Sequence, residues 1–286
     1  WFVEGAAGIA MRFGIPQLVI GLTIVAMGTS APEAAVSIAA AVKGNADITI
    51  GNIVGSNILN ILIILGLAAS IVPIAVARST VRIEIPFMIG VTALLFYQGR
   101  DGSISLADGG VLMVAFAVYM MYLYTMAMKS NVDSDLEEPG LPLGRCLLGA
   151  VGGLALIIAG SNVTVGAATS IATYAGLSER FIGLTIVALG TSLPELFTSV
   201  AAARRGNADI AIGNIVGSNI FNILFVVGLS SLIIDIPFAS AFNFDTYVAL
   251  GAAVLLWLCV LRTQRLQRWA GALMLVCYAA YLGYIL

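Results

Sequence analysis

The sequence predicts an all-α polytopic membrane protein with ten transmembrane helices, the first incomplete, arranged as two inverted-topology five-helix repeats. Hydrophobic residues make up 60% of the 286 positions, and charged residues make up only 10%. Several apolar runs exceed the roughly 18 residues that mark a membrane span, and one long segment recurs later in the chain. Because a soluble domain carries about 25% charged residues, this composition indicates burial in a lipid bilayer.

The composition also excludes several classes of function. The chain has no histidine, which excludes zinc sites and proton relays that use imidazole. Its three cysteines lie far apart in apolar stretches, which favours buried or lipid-facing side chains over a disulfide or a metal site. The net charge of −2 shows no basic excess, so we expect no nucleic-acid partner.

Apolar runs between charged or turn-rich breaks give the order of the predicted helices. They cover about 1–12, 15–42, 46–73, 82–99, 108–128, 144–174, 177–203, 208–234, 243–262 and 267–286. The stretch 129–143 is acidic and contains proline and glycine, so we interpret it as a cytoplasmic linker. It separates an N-terminal half, 1–128, from a C-terminal half, 144–286.

An internal repeat relates these two halves. Residues 21–67 and 183–229 align without a gap at a constant offset of 162, and 34 of the 47 aligned positions are identical. The matches include Thr, Ser, Pro, Glu and Asn, which general hydrophobicity does not explain. Five membrane crossings separate the copies, an odd number. The copies must therefore cross the bilayer in opposite directions, as the inverted repeats of secondary transporters do.

The same offset indicates that the first span is short. It aligns Trp1 with Val163, which lies in a span that begins near Gly144. About 19 residues of the first span's equivalent are therefore missing from the sequence. We expect a chain that is N-terminally truncated or incompletely given.

Basic residues predict the orientation. With the N-terminus outside, ten of the 13 Lys and Arg residues fall on the cytoplasmic side, and the opposite side holds only Lys43, Arg100 and Arg180. Cytoplasmic loops are enriched in basic residues. We therefore expect both termini outside, in a multi-pass protein of the cell (inner) membrane.

Glu33 and Glu195 are the two acidic residues that we expect deep inside the spans, at equivalent positions of the repeat. A carboxylate at the bilayer centre costs about 2.5–3.5 kcal/mol on insertion scales, so such a residue indicates a function. The alternative is a neutral glutamate that joins helices by hydrogen bonds. A threonine and a serine precede each glutamate by four and three residues and share its helix face: Thr29 and Ser30, and Thr191 and Ser192.

A proline precedes each glutamate, Pro32 in the first copy and Pro194 in the second. Proline has no amide hydrogen and clashes with the carbonyl four residues earlier. We therefore expect both helices to bend here and to leave backbone carbonyls, around Ala26–Gly28 in the first copy, free to bind a ligand. Irregular backbone inside a membrane is tolerated where it lines such a site.

The span after each glutamate carries the motif G-N-I-V-G-S-N-I-x-N. Its polar residues recur every four positions and form a stripe on one helix face: Asn52, Ser56 and Asn60, and Asn214, Ser218 and Asn222. Beside each stripe lies a GxxxG pair, which indicates close helix packing: Gly51 with Gly55, and Gly213 with Gly217.

These residues supply carboxylate, amide, hydroxyl and carbonyl oxygens, with no sulfur or imidazole. Such a set suits a hard cation, namely Ca²⁺, Na⁺ or Mg²⁺. One Ca²⁺ or two Na⁺ would neutralise two ionised glutamates. Competition for the same oxygens is thus the simplest physical route to exchange.

The motifs GTSAPE with GNIVGSNILN, and GTSLPE with GNIVGSNIFN, resemble the alpha repeats of the sodium/calcium exchanger group of the cation/calcium exchanger superfamily. The resemblance implies ten transmembrane helices, alternating access, and a midplane site shared by Ca²⁺ and Na⁺. It further implies that the ions contact the matching residues, which are Glu33, Glu195, Thr29, Ser30, Thr191, Ser192, Ser56, Ser218, Asn60 and Asn222, with the carbonyls of Ala26 and Ala188.

Three features narrow the resemblance. Some relatives, including potassium-dependent ones, carry Asp where this chain has Asn222, which argues against potassium coupling. Calcium/proton exchangers typically carry GNxxE in place of GTSxPE, which argues against proton coupling. Animal exchangers have a large cytoplasmic insert between the halves, so the short linker is similar to that of prokaryotic members.

The leading hypothesis is a Na⁺/Ca²⁺ antiporter that has no enzymatic activity and needs no cofactor. Its expected partners are the two ions and the lipid bilayer, and its oligomeric state is open. Two transport alternatives are a Ca²⁺/H⁺ antiporter, in which the two glutamates exchange protons, and a passive cation channel. Inverted repeats with broken helices favour alternating access over a channel. An intramembrane hydrolase with a carboxylate pair is a further alternative, although no water-activating metal motif is present.

Overall fold

The chain folds into a bundle of apolar helices joined by short links. The structure, a computed structural model, describes residues 1–44, 47–129, 142–174 and 188–285. The helices in chain order are α1 (Phe2–Arg12), α2 (Gln17–Thr29), α3 (Ala31–Val42), α4 (Asp47–Leu59, continued by Asn60–Leu65 and Gly66–Ile71), α5 (Thr80–Glu84 and Ile85–Gln98), α6 (Leu106–Lys129), α7 (Leu143–Tyr174), α8 (Ala188–Thr191), α9 (Leu193–Arg204), α10 (Ala208–Phe221, continued by Asn222–Val227 and Gly228–Ile233), α11 (Ala241–Leu261) and α12 (Arg268–Ile285).

Eight of the ten predicted spans are confirmed by the described residues. Seven of the described helices are long and apolar enough to cross a membrane, and α2 with α3 forms an eighth span that is bent by 51°. α1, α8 and α9 occupy the places of the first and seventh predicted spans. The linker residues 130–141 and the beginning of the predicted span 177–203 lie outside the described residues.

Four two-residue strands, which the sequence did not predict, lie between the helices. They are β1 (Ile74–Ala75), β2 (Ser103–Ile104), β3 (Ile236–Pro237) and β4 (Arg265–Leu266). β1 pairs antiparallel with β4, and β2 pairs antiparallel with β3, so each ribbon joins one half of the chain to the other. The offset of 162 also relates β1 to β3 and β2 to β4, which extends the repeat beyond its identical segments.

The strand pairs give independent support for the inverted repeat. Paired strands must lie on the same side of the membrane, and six spans separate β1 from β4 while four separate β2 from β3. Both numbers are even, as pairing requires. Equivalent strands β1 and β3 are separated by five spans, so they lie on opposite sides. The two five-helix repeats are therefore inverted, as predicted.

Helix α10 lies at the centre of the bundle, and 94% of an apolar 18-residue stretch of this helix is buried. It packs against α2 through glycines. A Cβ added to Gly217 would lie 2.7 Å from the carbonyl oxygen of Leu22, and one added to Gly213 would lie 3.1 Å from that of Leu18. Only glycine allows the backbones this close, so the second GxxxG pair has the packing role predicted for it.

Helix α1 packs against α7 in the same way. A Cβ on Gly5 would lie 2.4 Å from the carbonyl oxygen of Cys146, and a Cβ on Gly153 would lie 2.7 Å from the amide nitrogen of Phe2. This contact also buries Cys146, one of the three cysteines that were expected to be buried or lipid-facing.

Candidate cation site

The two proline motifs break their helices at equivalent serines. The helical path ends at Thr29, turns at Ser30 (φ −81°, ψ 7°) and restarts at Ala31. The second copy turns at Ser192 (φ −88°, ψ 5°), between α8 and α9. Because each glutamate follows in the first turn of the new helix, it lies near the positive end of that helix dipole, which favours a negative charge there.

The carbonyl of Ala26 is not freed by the proline, and that part of the sequence prediction is wrong. It accepts the backbone N–H of Ser30 at 3.0 Å, the ordinary helical bond from the residue four positions later, because Pro32 removes only the donor that would reach Gly28. The hydroxyl of Ser218 also lies 3.4 Å from this carbonyl oxygen. Ala188 is the equivalent residue in the second half. It is the first residue of α8, and residues 175–187 before it lie outside the described part of the chain.

Hydroxyl groups bridge the two halves in a crossed arrangement. Ser30 donates to the Oε1 atom of Glu195 at 2.8 Å, and Ser192 donates to the Oε1 atom of Glu33 at 3.1 Å. The hydroxyl of Thr191 also interacts with the carboxyl group of Glu33. Each glutamate is thus held by residues of the opposite half. The two carboxyl groups are also close enough to interact electrostatically with one another.

Two asparagines brace the backbone of the glutamates. The Nδ2 atom of Asn52 lies 3.2 Å from the carbonyl oxygen of Glu33 and 2.9 Å from the hydroxyl of Ser37. Asn214 makes the equivalent contacts, to the carbonyl of Glu195 at 3.4 Å and to Ser199 at 2.9 Å. The asparagines therefore fix the short helices α3 and α9 against α4 and α10.

The described residues contain eleven buried side-chain polar atoms without a hydrogen-bond partner, and five of these belong to predicted site residues. They are Oε2 of Glu33, Oε2 of Glu195, Oγ of Ser56, Oδ1 of Asn60 and Oδ1 of Asn222. All five residues are at most 1% exposed. A buried oxygen without a partner costs about 1–3 kcal/mol, so these five oxygens, which come from both halves, favour a ligand that carries positive charge.

Sequence analysis missed two asparagines at the centre of this region. Asn57 and Asn219 are 3% and 1% exposed. The Nδ2 atom of each lies 3.2 Å from the backbone carbonyl of the other, so they form a reciprocal pair across the two halves. Neither residue belongs to the polar stripe that the sequence analysis assigned to every fourth position. Their recurrence at the offset of 162 was the signal that could have identified them.

Glu84 lies at the beginning of its span, where the sequence analysis expected acidic residues other than Glu33 and Glu195, but its side chain is fully buried, which was not expected. It accepts a hydrogen bond from the hydroxyl of Tyr122 in α6. The basic residues Arg78 and Arg82 beside it in the sequence suggested a span end. The π-helical turn Thr80–Glu84 includes Arg82 and ends at Glu84, whose carboxyl group is buried.

The donor set suits a hard cation. In the part of the chain that the structure describes, no three His, Cys, Asp or Glu side chains cluster together. A cation at this site would therefore be bound by two carboxylates and neutral oxygens, which suits Ca²⁺ or Na⁺ better than a softer metal. Among the predicted residues, hydrogen bonds across the two halves join Ser30 to Glu195 and Ser192 to Glu33.

Two inverted halves that meet at broken helices and an oxygen-lined centre define a secondary transporter. The family model described as "Sodium/calcium exchanger protein" matches residues 1–125 and 146–286. The chain belongs to this family, so it is a cation antiporter of the membrane and not an enzyme.

Individual relatives agree with this assignment. The chain is 42% identical over 242 residues to "Inner membrane protein YrbG" of Escherichia coli (strain K12), covering 80% of this chain and 73% of that protein. It is 32% identical over 330 residues to "Sodium/calcium exchanger MaX1" of Methanosarcina acetivorans, covering 99% and 92%. The solved structure of the sodium-calcium exchanger NCX_Mj, 32% identical, superposes with a TM-score of 0.86 over 100% of this chain and 93% of that one.

Proposed function

We propose that this chain exchanges Ca²⁺ for Na⁺ by alternating access, and that both ions bind between Glu33 and Glu195. The observation that carries the proposal is the set of five buried oxygens without partners, contributed by both halves. The proposed ligands are Glu33, Glu195, Ser56, Asn60 and Asn222, supported by the hydroxyls of Thr29, Ser30, Thr191, Ser192 and Ser218 and by the carbonyl of Ala188.

The charge of the site supports a transported cation. The ion pairs among the described residues all involve Glu4, which is exposed, so no arginine or lysine of the described chain neutralises Glu33 or Glu195. An uncompensated carboxylate in the membrane interior is costly. Cations or protons must therefore balance the two carboxylates whenever they are ionised, and one Ca²⁺ or two Na⁺ would do so.

Sodium is proposed over protons as the counter-ion for two reasons. The site has several neutral oxygens in addition to its carboxylates, and protonation would use the carboxylates alone. The relative named "Sodium/calcium exchanger MaX1" matches 99% of this chain, and the match covers 92% of that relative. Crystals of NCX_Mj were also soaked with Na⁺ together with Ca²⁺ or Sr²⁺.

Ion-driven uptake into proteoliposomes tests the proposal. The purified full chain is reconstituted with Na⁺ inside, and ⁴⁵Ca²⁺ uptake is measured after dilution into sodium-free buffer. Matched vesicles carry either an outward proton gradient or no gradient, and the double variant Glu33→Gln/Glu195→Gln is the blank. We expect uptake with the sodium gradient alone. Uptake driven only by the proton gradient would favour Ca²⁺/H⁺ antiport, and uptake that ignored both gradients would favour a channel.

We also propose that both termini lie outside, in a cell membrane. The distribution of basic residues supports this orientation, because Arg204 and Arg205 end α9 on the side assigned to the cytoplasm, whereas Lys43 follows α3 on the other side. A reporter that is active only outside the cytoplasm, fused after residue 286, tests it. Activity of the same reporter in the linker 129–143 instead would reverse the orientation.

A further inference from the structure

We infer that Asn57 and Asn219 are positioning residues, which turn the amide groups of Asn60 and Asn222 so that oxygen faces the cation. This inference rests on the proposed function. Neither Asn57 nor Asn219 has a partnerless buried atom, in contrast with Asn60 and Asn222. Their role is therefore to be sought in what their hydrogen bonds do to their neighbours.

The backbone fixes the orientation of the first amide pair. A peptide carbonyl can only accept a hydrogen bond, so the group that faces it must be an NH₂. Asn57 therefore directs Nδ2 to the carbonyl of Asn219, and Asn219 directs Nδ2 to the carbonyl of Asn57, each at 3.2 Å. This leaves the Oδ1 atom of each residue on the opposite edge of its amide.

These two oxygens then fix the second amide pair. Oδ1 of Asn219 lies 2.9 Å from Nδ2 of Asn60, and Oδ1 of Asn57 lies 3.1 Å from Nδ2 of Asn222. Because an oxygen cannot donate, Asn60 and Asn222 must present their NH₂ groups to these neighbours. Their own Oδ1 atoms are left facing away, buried and without partners.

The orientation matters because an amide has two ends of opposite polarity. Asn60 or Asn222 with its oxygen toward the site attracts a cation, whereas a flipped amide would direct an NH₂ group with partial positive charge at it. Free rotation would let each amide sample both orientations, so that ion binding would have to pay the entropy of ordering it. Fixing the productive orientation before an ion arrives removes that cost.

This series of hydrogen bonds predicts that each positioning residue is energetically coupled to a ligand in the opposite half. Asn219 acts on Asn60, and Asn57 acts on Asn222, although each positioning residue lies three positions before the other ligand on its own helix. A role limited to holding α4 against α10 would show no such pattern. The crossing therefore separates a positioning role from a structural one.

Double-mutant cycles test the inference on the full-length chain. The two readouts are the Kd for Ca²⁺, measured by equilibrium dialysis, and the KM for Ca²⁺ uptake. Asn219→Ala should raise both values about tenfold in the wild-type background, the size expected for one hydrogen-bonded ligand. It should add little when Asn60→Ala is already present. Asn219→Ala combined with Asn222→Ala is the matched control, and there the two effects should multiply.

The mirror cycle uses Asn57→Ala, which should couple to Asn222→Ala and be independent of Asn60→Ala. If the alanine variants do not remain monodisperse in detergent, Asn57→Ser and Asn219→Ser replace them in the same cycles. Independent effects in all four combinations would overturn the positioning role while leaving exchange intact. Absence of Ca²⁺ binding by the wild-type chain would instead overturn the proposed function itself.

Discussion

Asn52 and Asn214 are equivalent residues that make the same bonds in different surroundings. Each donates to the backbone carbonyl of its glutamate and to a serine hydroxyl. Asn214 is nevertheless fully buried, and its Oδ1 atom also lies 3.0 Å from the hydroxyl of Thr29, whereas Asn52 is only partly buried. Identical residues in two inverted repeats are therefore covered to different degrees.

The glycines beside these asparagines differ in the same direction. A Cβ on Gly217 would lie within 2.8 Å of Ala26, but a Cβ on Gly55 would meet no atom within 4 Å among the described residues. The residue equivalent to Leu22, which contacts Gly217, is Leu184, and it lies outside the described residues. Among the described residues, Asn52 is the more exposed of the two asparagines. In an inverted-repeat transporter, the exposure of equivalent residues is the property that changes as access moves from one membrane side to the other.

The largest expected effect concerns the residues in which the two halves do not differ. Glu33→Gln and Glu195→Gln should each reduce sodium-driven Ca²⁺ uptake at least about a hundredfold. A unit charge near a divalent ion is worth several kcal/mol even at an effective dielectric constant of about 20. Initial rates of ⁴⁵Ca²⁺ uptake measure the loss. Wild-type rates in either variant would contradict the assignment of both glutamates to one site.

Cysteine labelling measures the difference in coverage directly. In a background without the three native cysteines, Asn52→Cys should react with a hydrophilic thiol reagent at least about tenfold faster than Asn214→Cys, because reactivity depends on access. The comparison is made in membranes, with the same reagent applied to both sides. Equal rates at the two positions would mean that the halves are equally open in the membrane.

The equivalent glycines should differ in their tolerance of a methyl group. Gly217→Ala places a Cβ against the backbone of α2, and such overpacking costs about 1–3 kcal/mol. We expect the Tm of the purified protein to fall by about 5 °C, measured by intrinsic fluorescence. Gly55→Ala is the matched control and should change Tm little. A fall in Tm for Gly55→Ala as large as that for Gly217→Ala would show that the two glycines are equally closely packed.

The smallest effect is expected at Glu84, where the halves differ in sequence. The equivalent position in the second half is Thr246, which is also buried and donates to the carbonyl of Phe242. Glu84→Thr therefore installs a residue that the second half already accommodates, and uptake should stay within about twofold of the wild type. Loss of uptake comparable to that of Glu33→Gln would give Glu84 a role in transport.

The sequence predicted most of the fold because its repeat is so nearly identical. A constant offset between Glu33 and Glu195 and an odd number of crossings were enough to infer two inverted halves and a shared centre. The bends at Ser30 and Ser192 followed from the prolines, since the covalent structure of proline determines where a helix can continue. The strands did not follow, because a two-residue strand depends on a partner far away in the chain rather than on local preference.

The parts of the site that were missed depend on tertiary contacts. Asn57 follows Ser56 directly, so helical periodicity placed it off the stripe. Its partner in the other half determines which way its amide points. The carbonyl of Ala26 stayed bonded because Ser30, four residues later, keeps its N–H, and the proline removes only the donor to Gly28. The burial of Glu84 was missed because hydropathy places a residue at a span end without showing which helices pack around it.

The two ribbons also bear on the order in which the protein can be assembled. β1 at residues 74–75 pairs with β4 at residues 265–266, so all the helices from α5 to α11 must be synthesised before this ribbon can close. The first half must therefore remain in the bilayer with an open strand edge while the second half is inserted. Such late, long-range closure is slow and leaves intermediates exposed to mispairing. We conclude that neither half can complete its strand pairs alone, because each ribbon takes one strand from each half.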